Sequence, residues 1–329
     1  MRLPRLSPAT YRVITVVALV ALATIVVTGA AVRLTGSGLG CSDWPTCEDG
    51  QLVAELDSPH AVAEFANRVF TGVVSVAVMV AVAGSLLRQP RRRDLTWLSL
   101  GLVAGVVAQI VWGGLTVLND LDPRFVMGHY LISAALIADA VVLVVRAGGG
   151  DPGPATEGRG GTGRGPTPAV SPRTLWLSRG LVASTMAAVV AGTIVTNTGP
   201  HAGDVDARRF GFDITDVVRV HGVAAWCTLG LAVVTLWTAY RGGAPERVRR
   251  RGAVVVGALL AQGALGYLQY ATGVPPLLVG LHVLGSVLVW IAVLAFHLGL
   301  VDRRPIEGAT AVPAPGPREA PIPAPSGAS

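Results

Sequence analysis

The sequence has no lysine, only three cysteines and few charged residues for its length. Charged side chains make up 14% of its 329 residues, whereas apolar side chains make up 51%, and the mean hydropathy is +0.57. Soluble domains carry about 25% charged residues. This shortage of charge excludes an ordinary soluble protein and predicts a chain that lies in a lipid bilayer.

The sequence contains several long runs of apolar residues. A helix needs about 20 apolar residues to cross a hydrocarbon core of roughly 30 Å, and runs of that length occur eight times. The first run is too long for a signal peptide and is not followed by a small-residue cleavage site, so we expect a retained helix. The expected fold class is an all-α integral membrane protein with eight transmembrane helices. The predicted spans are 11–32, 64–87, 95–118, 125–146, 175–196, 216–240, 251–272 and 277–300.

Arginine is the only basic residue behind the net charge of +6. The arginines are concentrated in alternate loops, so membrane topology explains them better than binding to nucleic acid does. Because arginine-rich loops stay in the cytoplasm, both termini are expected there, in a multi-pass protein of the bacterial plasma membrane. The intervening loops are acidic and are expected to face outward, with Arg208 and Arg209 as a local exception.

The chain contains an internal repeat. A gapless shift of 153 positions aligns 108–133 with 261–286, and nine of the 26 aligned positions are identical. Each predicted half has four spans, so the halves share one orientation across the membrane. Gln109 and its counterpart Gln262 are expected to bridge helices within each half. The predicted domains are an N-terminal four-helix half, 1–146, with an outer loop, 33–63; a flexible cytoplasmic linker, 147–173; a C-terminal four-helix half, 174–304; and a disordered tail, 305–329.

Three histidines lie at one depth inside the predicted spans. His129, His221 and His282 are each about 6 to 8 Å below the outer surface at a rise of 1.5 Å per residue. A polar side chain inside a membrane costs free energy, so each of the three is a candidate for a function. His221 and His282 share a half, so they can face each other as axial ligands of a haem iron. The alternative is that each histidine only bonds a neighbouring helix. A zinc site is less favoured, because no carboxylate or thiolate completes four ligands.

The N-terminal half differs, because Asn67 occupies the position that matches His221. Asparagine is a poor iron ligand, so this half offers His129, Asn67 and Glu64. Glu64 precedes Asn67 by three residues and therefore shares its helix face. Two interpretations of Glu64 stay open: an acid-base group beside a bound substrate, or an interfacial carboxylate paired with Arg68 at i+4. The divergence favours a permanently held haem in the C-terminal half and a substrate haem in the other.

These features resemble the haem A synthase family over residues 11–300. The likeness consists of two four-helix repeats, the stretch VRLTGSGLGC followed by a second cysteine, a glutamate motif opening the second helix, and histidines near the outer ends of helices four, six and eight. The resemblance implies that His221 and His282 hold haem B. It also implies that Asn67 and His129 receive the substrate, haem O, beside a catalytic Glu64. Many members of the family have histidine where this sequence has Asn67.

The resemblance also implies a reaction. The C8 methyl of haem O is hydroxylated twice, and the gem-diol loses water to give the formyl group of haem A, for cytochrome c oxidase. Glu64 would accept a proton or stabilise charge near that methyl, His129 would be an axial ligand or positioning residue, and haem B would accept or relay electrons. The implied partners are haem O synthase, a protohaem farnesyltransferase, and cytochrome c oxidase assembly. The electron acceptor is open, and a homo-oligomer is allowed.

Two other functions compete with this interpretation. A dihaem b-type cytochrome would pass electrons between a quinone and an outer acceptor, but it would use a histidine pair in both halves, which Asn67 opposes. A haem carrier would need neither Glu64 nor an ordered loop beside the haem. The synthase interpretation alone gives a reason for the asymmetry of the two halves.

Cys41 and Cys47 lie in an outward loop, where disulfides persist, whereas Cys227 is expected to be a small buried residue of span six. A bond between the first two closes a short ring, with a gain of about 2 to 3 kcal/mol at best. Glycines let the chain turn sharply before this ring, and Trp44 gives it an apolar edge. We therefore expect a lid over the N-terminal site. A redox role, considered for these cysteines in the family, is the alternative.

Overall fold

The computed structural model describes residues 5–47, 50–51, 53–54, 57–149 and 167–302. These residues contain eight helices long and apolar enough to cross a membrane, so the chain is a multi-pass, all-α membrane protein, as predicted. Two-residue strands, Thr167–Pro168 and Val301–Asp302, also pair. Most of the predicted linker, 150–166, and the predicted tail lie outside the described residues. The helices are α1 (Pro8–Leu34), α2 (Pro59–Leu87), α3 (Arg93–Leu118), α4 (Pro123–Ala147), α5 (Pro172–Thr198), α6 (Ile214–Arg241), α7 (Glu246–Ala271) and α8 (Pro276–Leu298).

Most helices begin earlier than the apolar runs, because capping residues precede those runs. Ser7, Ser58 and Ser171 each stand before a proline, and each side-chain oxygen accepts the backbone N–H three residues later. This arrangement satisfies an N–H group that has no partner within the helix. As a result α2 begins at Pro59 rather than at 64, and Glu64 lies in its second turn rather than at its opening.

Aspartates cap the two helices that carry His129 and His221. Asp122 Oδ1 accepts the N–H of Arg124 at 3.0 Å, and Asp213 caps α6 in the same way. The hydrogen bond from the Arg124 side chain lowers the pKa of Asp122 to about 2. These caps fix where each helix starts, and thus the depth of the histidine that follows six or seven residues later.

The helices pack as two sets of four, α1–α4 and α5–α8. In each set the first helix contacts the second and the fourth, and the third contacts the second and the fourth. Each set has its own apolar core, with Leu102 at 0% exposure in one and Val293 at 0% in the other. The internal repeat stays a prediction, although the packing order is the same in the two sets. The helix ends that carry the Cys41–Cys47 loop are called the outer side below, after the predicted orientation.

The two sets meet through α1, α4, α5 and α8. This interface is largely apolar, but the hydrogen bonds that cross it in the described residues include two between α4 and α8. Tyr130 of α4 bonds Ser286 of α8 at 2.9 Å, and Trp290 Nε1 donates to the carbonyl oxygen of Ala134 at 2.9 Å. Polar contacts in a lipid-like interior fix the register of packed helices, so the two sets hold one arrangement.

Candidate haem-binding sites

His221 of α6 and His282 of α8 face each other in the C-terminal set. Their ring centroids are 6.3 Å apart, and the ring planes meet at 73°. Bonds from a metal to imidazole nitrogen are about 2 Å long, so two rings on opposite sides of one metal have nitrogens about 4 Å apart and centres somewhat farther apart. The observed separation fits one iron atom between the two rings.

The surroundings of His221 leave one ring nitrogen free. Its Nδ1 lies 3.0 Å from the carbonyl oxygen of Ala188 on α5, and a carbonyl only accepts, so Nδ1 carries the hydrogen. Nε2 then has the lone pair with which a neutral histidine binds a metal, and such ligands usually make this second bond. His282 Nδ1 is buried and has no hydrogen-bond partner within the described residues.

Two glutamines hold the helices that carry His129 and His282. Gln109 Nε2 donates to the carbonyl oxygen of His129 at 3.0 Å, and Gln262 Nε2 donates to that of His282 at 2.7 Å. This confirms the predicted bridging by both glutamines. The Nδ1 atom of His129, like that of His282, is buried without a partner in the described part of the chain.

A glycine faces every one of the four predicted ligand positions, and the sequence analysis missed this pattern. A methyl group on Gly113 would lie 3.2 Å from His129 Cε1, and the same distance would separate one on Gly266 from His282 Cε1. A side chain at these positions would push the ring aside. The available signal was the pair Gly113 and Gly266, which stand 153 positions apart, the shift of the internal repeat. The facing pairs are Gly29 with Asn67, Gly113 with His129, Gly192 with His221, and Gly266 with His282.

Asn67 makes a helix-to-helix hydrogen bond rather than a contact with His129. Its Oδ1 accepts from Thr28 Oγ1 of α1 at 2.7 Å, and its Nδ2 lies near Gly29. No hydrogen bond joins Asn67 to His129 in the described residues. The sequence aligns this amide with the His221 imidazole, but an amide whose oxygen is already bonded is not a comparable metal ligand.

Glu64 is buried, with 5% of its surface exposed, and both carboxylate oxygens are bonded. Oε1 accepts from Arg68 Nε at 3.0 Å and from Nη2 at 2.5 Å, while Oε2 accepts the backbone N–H of Cys41 at 2.8 Å. The ion pair with Arg68, one of the two interpretations left open by the sequence, is therefore present. The hydrogen bond from Cys41 to Oε2 ties α2 to the loop that carries the disulfide.

Arg68 uses all five of its N–H groups, the full number that a guanidinium offers. Besides the two bonds to Glu64, Nη1 donates to the carbonyl oxygens of Asp43 and Thr46 at 3.0 and 2.8 Å, and Nη2 donates to that of Cys41 at 3.2 Å. The sequence did not indicate this role. The result is a loop clamped to α2 by one side chain.

The predicted disulfide between Cys41 and Cys47 is present, and both residues are buried. The prediction for Cys227 was wrong, because this thiol is exposed on a face of α6 that turns away from the bundle. Within the disulfide ring, Trp44 lies flat against Gly114 of α3, where a methyl group would be 2.5 Å from Trp44 Cδ2. The ring therefore reaches across from α2 to the helix that faces His129.

The glycines before the ring serve two purposes. Gly36 has φ +67°, a conformation that other residues rarely adopt. Gly38 and Gly40 are needed for close approach, because a methyl group on Gly38 would lie 2.8 Å from Leu121 Cδ1 and one on Gly40 would collide with the carbonyl of His60. The expected sharp turn is thus confined to Gly36, and the other two allow the loop to pack tightly.

Arg33, which the sequence analysis passed over, links the two sets on the outer side. Its Nε donates to the carbonyl oxygen of His201 at 2.7 Å and its Nη2 to that of Thr196 at 3.0 Å. Arg33 lies one turn beyond Gly29, and Thr196 lies one turn beyond Gly192. One guanidinium therefore joins the outer ends of α1 and α5. It lies one turn beyond the glycines that face Asn67 and His221.

No group of three or more His, Cys, Asp or Glu side chains that could hold a metal ion occurs in the described ranges. A tetrahedral zinc site needs three or four protein ligands. A paired imidazole site suits a metal whose equatorial ligands come from a macrocycle, as in haem.

Known proteins of one family resemble this chain. A family model for COX15-CtaA, described as cytochrome oxidase assembly protein, matches residues 12–294. A "Heme A synthase" of Lysinibacillus sphaericus is 33% identical over 131 residues, which are 40% of this chain and 42% of that protein. One of Listeria welshimeri is 31% identical over 136 residues, 41% of this chain and 44% of that protein. Each match spans less than half of the relative's length.

The family model covers most of the chain, including all eight helices in whole or in large part. Its matched range contains His221, His282, His129, Asn67 and Glu64, together with the disulfide loop. The chain therefore belongs to the COX15-CtaA family of cytochrome oxidase assembly proteins.

Proposed function

We propose that this chain is a haem A synthase, which oxidises the C8 methyl of haem O to a formyl group and so supplies haem A to cytochrome c oxidase. The observation that carries the proposal is the asymmetry of the two helix sets. One set has a facing pair, His221 and His282, and the other has His129 and Asn67 beneath a clamped loop. One site suits a resident haem and the other a haem that enters and leaves.

His221 and His282 would hold haem B. The 6.3 Å between their rings and the hydrogen bond from His221 Nδ1 to Ala188 support this assignment. When bound there, haem B supplies one-electron redox chemistry. The glycines opposite the two rings keep the imidazoles close to their neighbouring helices, so the protein fixes both ring positions before the haem binds.

The substrate site would hold haem O more loosely. His129 offers one imidazole, whereas Asn67 offers an amide whose oxygen is already occupied by Thr28. The Nδ2 group of Asn67 keeps its N–H donors and would bond to substrate or water. A single strong protein ligand suits a molecule that must be released as product.

Glu64 would act as the proton acceptor beside the substrate. A carboxylate has about four acceptor positions, and three are filled by Arg68 and the Cys41 amide. The backbone N–H of Gly40 also acts on this carboxylate, and Oε2, which has no bond to Arg68, would be the oxygen that takes the proton. The buried ion pair with Arg68 fixes the orientation of the group, which general base catalysis requires.

Haem extraction and mass analysis of the purified protein, from cells that make haem O, test this function. The wild type is expected to carry haem B together with haem A or its hydroxylated precursor. Glu64→Gln keeps the size and an oxygen acceptor, so it is expected to retain haem B and to accumulate haem O.

The state of the disulfide, read by mass analysis in the same Glu64→Gln sample, is the control. If the disulfide is intact and haem O accumulates, Glu64 acts in the chemistry and not only as an anchor for the loop. Two equivalent haem B molecules in the wild type, with no haem O or haem A, would instead identify a dihaem electron-transfer cytochrome.

A further inference from the structure

An aromatic bridge joins α6 and α7 in the C-terminal set. Trp226 Nε1 donates to the hydroxyl of Tyr267 at 3.0 Å, and both side chains are more than half exposed on the surface of the set. Tyr267 directly follows Gly266, the glycine that faces His282. The bridge therefore lies across the groove between the two helices, beside the predicted haem B site.

The matching positions in the N-terminal set are both glycine. The 153-residue shift that pairs His129 with His282 also pairs Gly114 with Tyr267. The alignment that pairs Asn67 with His221 likewise pairs Gly72 with Trp226. The groove between α2 and α3 thus lacks the two side chains that span its counterpart.

Gly72 opens onto free space. A methyl group built on it would have no atom within 4 Å, and the residue is exposed. Gly72 is one turn below Arg68, so both lie on one face of α2. Arg68 in turn holds the carbonyl groups of Asp43 and Thr46, the residues on either side of the Trp44–Pro45 pair.

Trp44 covers the other glycine. Its indole lies against Gly114, and its side chain is 37% exposed. The groove is therefore bounded by Gly72 on α2, by Gly114 on α3 and by the clamped loop above. Gly113, which is next to Gly114, faces His129, so the groove leads toward the predicted substrate site.

We propose that this groove is a lateral entrance through which haem O reaches His129 from the bilayer, and that its isoprenoid tail lies in the space beside Gly72. This inference rests on the proposed function. Haem O is made by attaching a farnesyl group, so its tail is apolar and dissolves in lipid rather than in water. A resident haem needs no such opening, and there Trp226 and Tyr267 bridge the groove. Trp44 forms the edge of the groove on the side of α3.

The test is the rate of haem O binding to the purified protein in lipid nanodiscs, followed by the change in its absorbance on mixing. Gly72→Trp is expected to slow binding by about tenfold or more, and to lower kcat/KM for haem O while leaving kcat nearly unchanged, because access rather than chemistry is affected. Haem B content is expected to stay at the wild-type level. The fold tolerates the change, because Gly72 has no neighbour to clash with.

Gly230→Trp is the matched control. Gly230 is also an exposed glycine with no atom near its missing methyl group, but it lies on α6 of the other set. This variant is expected to bind haem O at the wild-type rate. Gly72→Ala, a smaller change at the same place, is expected to slow binding much less than Gly72→Trp.

An unchanged binding rate in Gly72→Trp would overturn the entrance, and so would equal slowing in Gly230→Trp. Failure of the proposed function looks different, because the wild type would then bind haem O without converting it, or would not bind it at all.

Discussion

The two helix sets are alike around His129 and His282, and they differ at Asn67 and His221. His129 and His282 have equivalent neighbours: a glutamine on the backbone carbonyl, a glycine on which a methyl group would lie 3.2 Å from Cε1, and an Nδ1 atom without a partner in the described ranges. The difference lies between α2 and α6. In the alignment of the two halves, α2 has Asn67 at the position where α6 has His221. Under the proposed function, this change at a single helix position separates a tightly held haem from a loosely held one.

The loops on the outer side extend this difference. The loop before α2 is closed by a disulfide and clamped by Arg68. The loop before α6 instead contacts the opposite set, since Gly38 N–H donates to the carbonyl of Gly203 at 2.9 Å and Arg33 donates to that of His201. The first loop is held mainly to α2 of its own set, and the second is held to the opposite set.

Removal of the paired histidines is expected to have the largest effect. His221→Ala and His282→Ala should each abolish haem B retention, because a single remaining imidazole gives weak ligation. Asn67→Ala should leave haem B in place. The measurement is the haem-to-protein absorbance ratio after purification in detergent.

The second histidine of α8, His297, serves as the control for that loss. His297 bonds Ser178 through Nδ1 at 2.8 Å near the inner end of the helix. His297→Ala should therefore retain haem B, and loss of haem in this variant as well would mean that substitutions in α8 disturb the fold rather than the ligand.

Loss of the Arg68 clamp should rank second. Arg68→Leu leaves the buried Glu64 carboxylate without its partner, which costs about 3 to 5 kcal/mol, and frees the loop carbonyls. We expect a lower melting temperature and faster alkylation of Cys41 and Cys47 after mild reduction. Arg219→Leu is the control, because Arg219 and Asp216 form an exposed pair, and such pairs contribute about 0 to 1 kcal/mol.

The sequence predicted the eight helices well, because the length of an apolar run is a local signal. All eight helices lie where the apolar runs predicted them, with starts shifted by a few residues at most. It also predicted the disulfide between Cys41 and Cys47. These features depend on composition and spacing within one segment.

The contacts between distant segments could not be predicted in this way. Glu64 and Arg68 were seen as a pair, but the carbonyl partners of Arg68 come from the loop, about 22 to 27 residues away, and their positions depend on tertiary packing. Arg33 was missed for the same reason, since its partners are more than 160 residues distant. Cys227 was misplaced because the apolar pattern of α6 does not distinguish lipid from protein neighbours.

A direct way to remove the asymmetry is Asn67→His. The new imidazole would face Gly29 as His221 faces Gly192, at the loss of the hydrogen bond from Thr28. We expect the N-terminal set to retain a second haem through purification, with the optical spectrum of a bis-histidine site, and we expect product release to slow. An unchanged haem content would mean that α2 does not occupy the place of α6.

The two glutamines provide the smallest and sharpest comparison. Gln262→Leu removes one hydrogen bond to the carbonyl of His282, and Gln109→Leu removes the equivalent bond to His129. Each bond contributes about 1 kcal/mol, so both variants should fold and lose little stability. Gln262→Leu should shift the absorbance maximum or the midpoint potential of haem B, because the backbone that carries its ligand moves. Gln109→Leu should leave that spectrum unchanged and alter only haem O binding. Equal spectral shifts in the two variants would mean that the sets are not independent, and that the separation of a resident from a substrate haem is wrong.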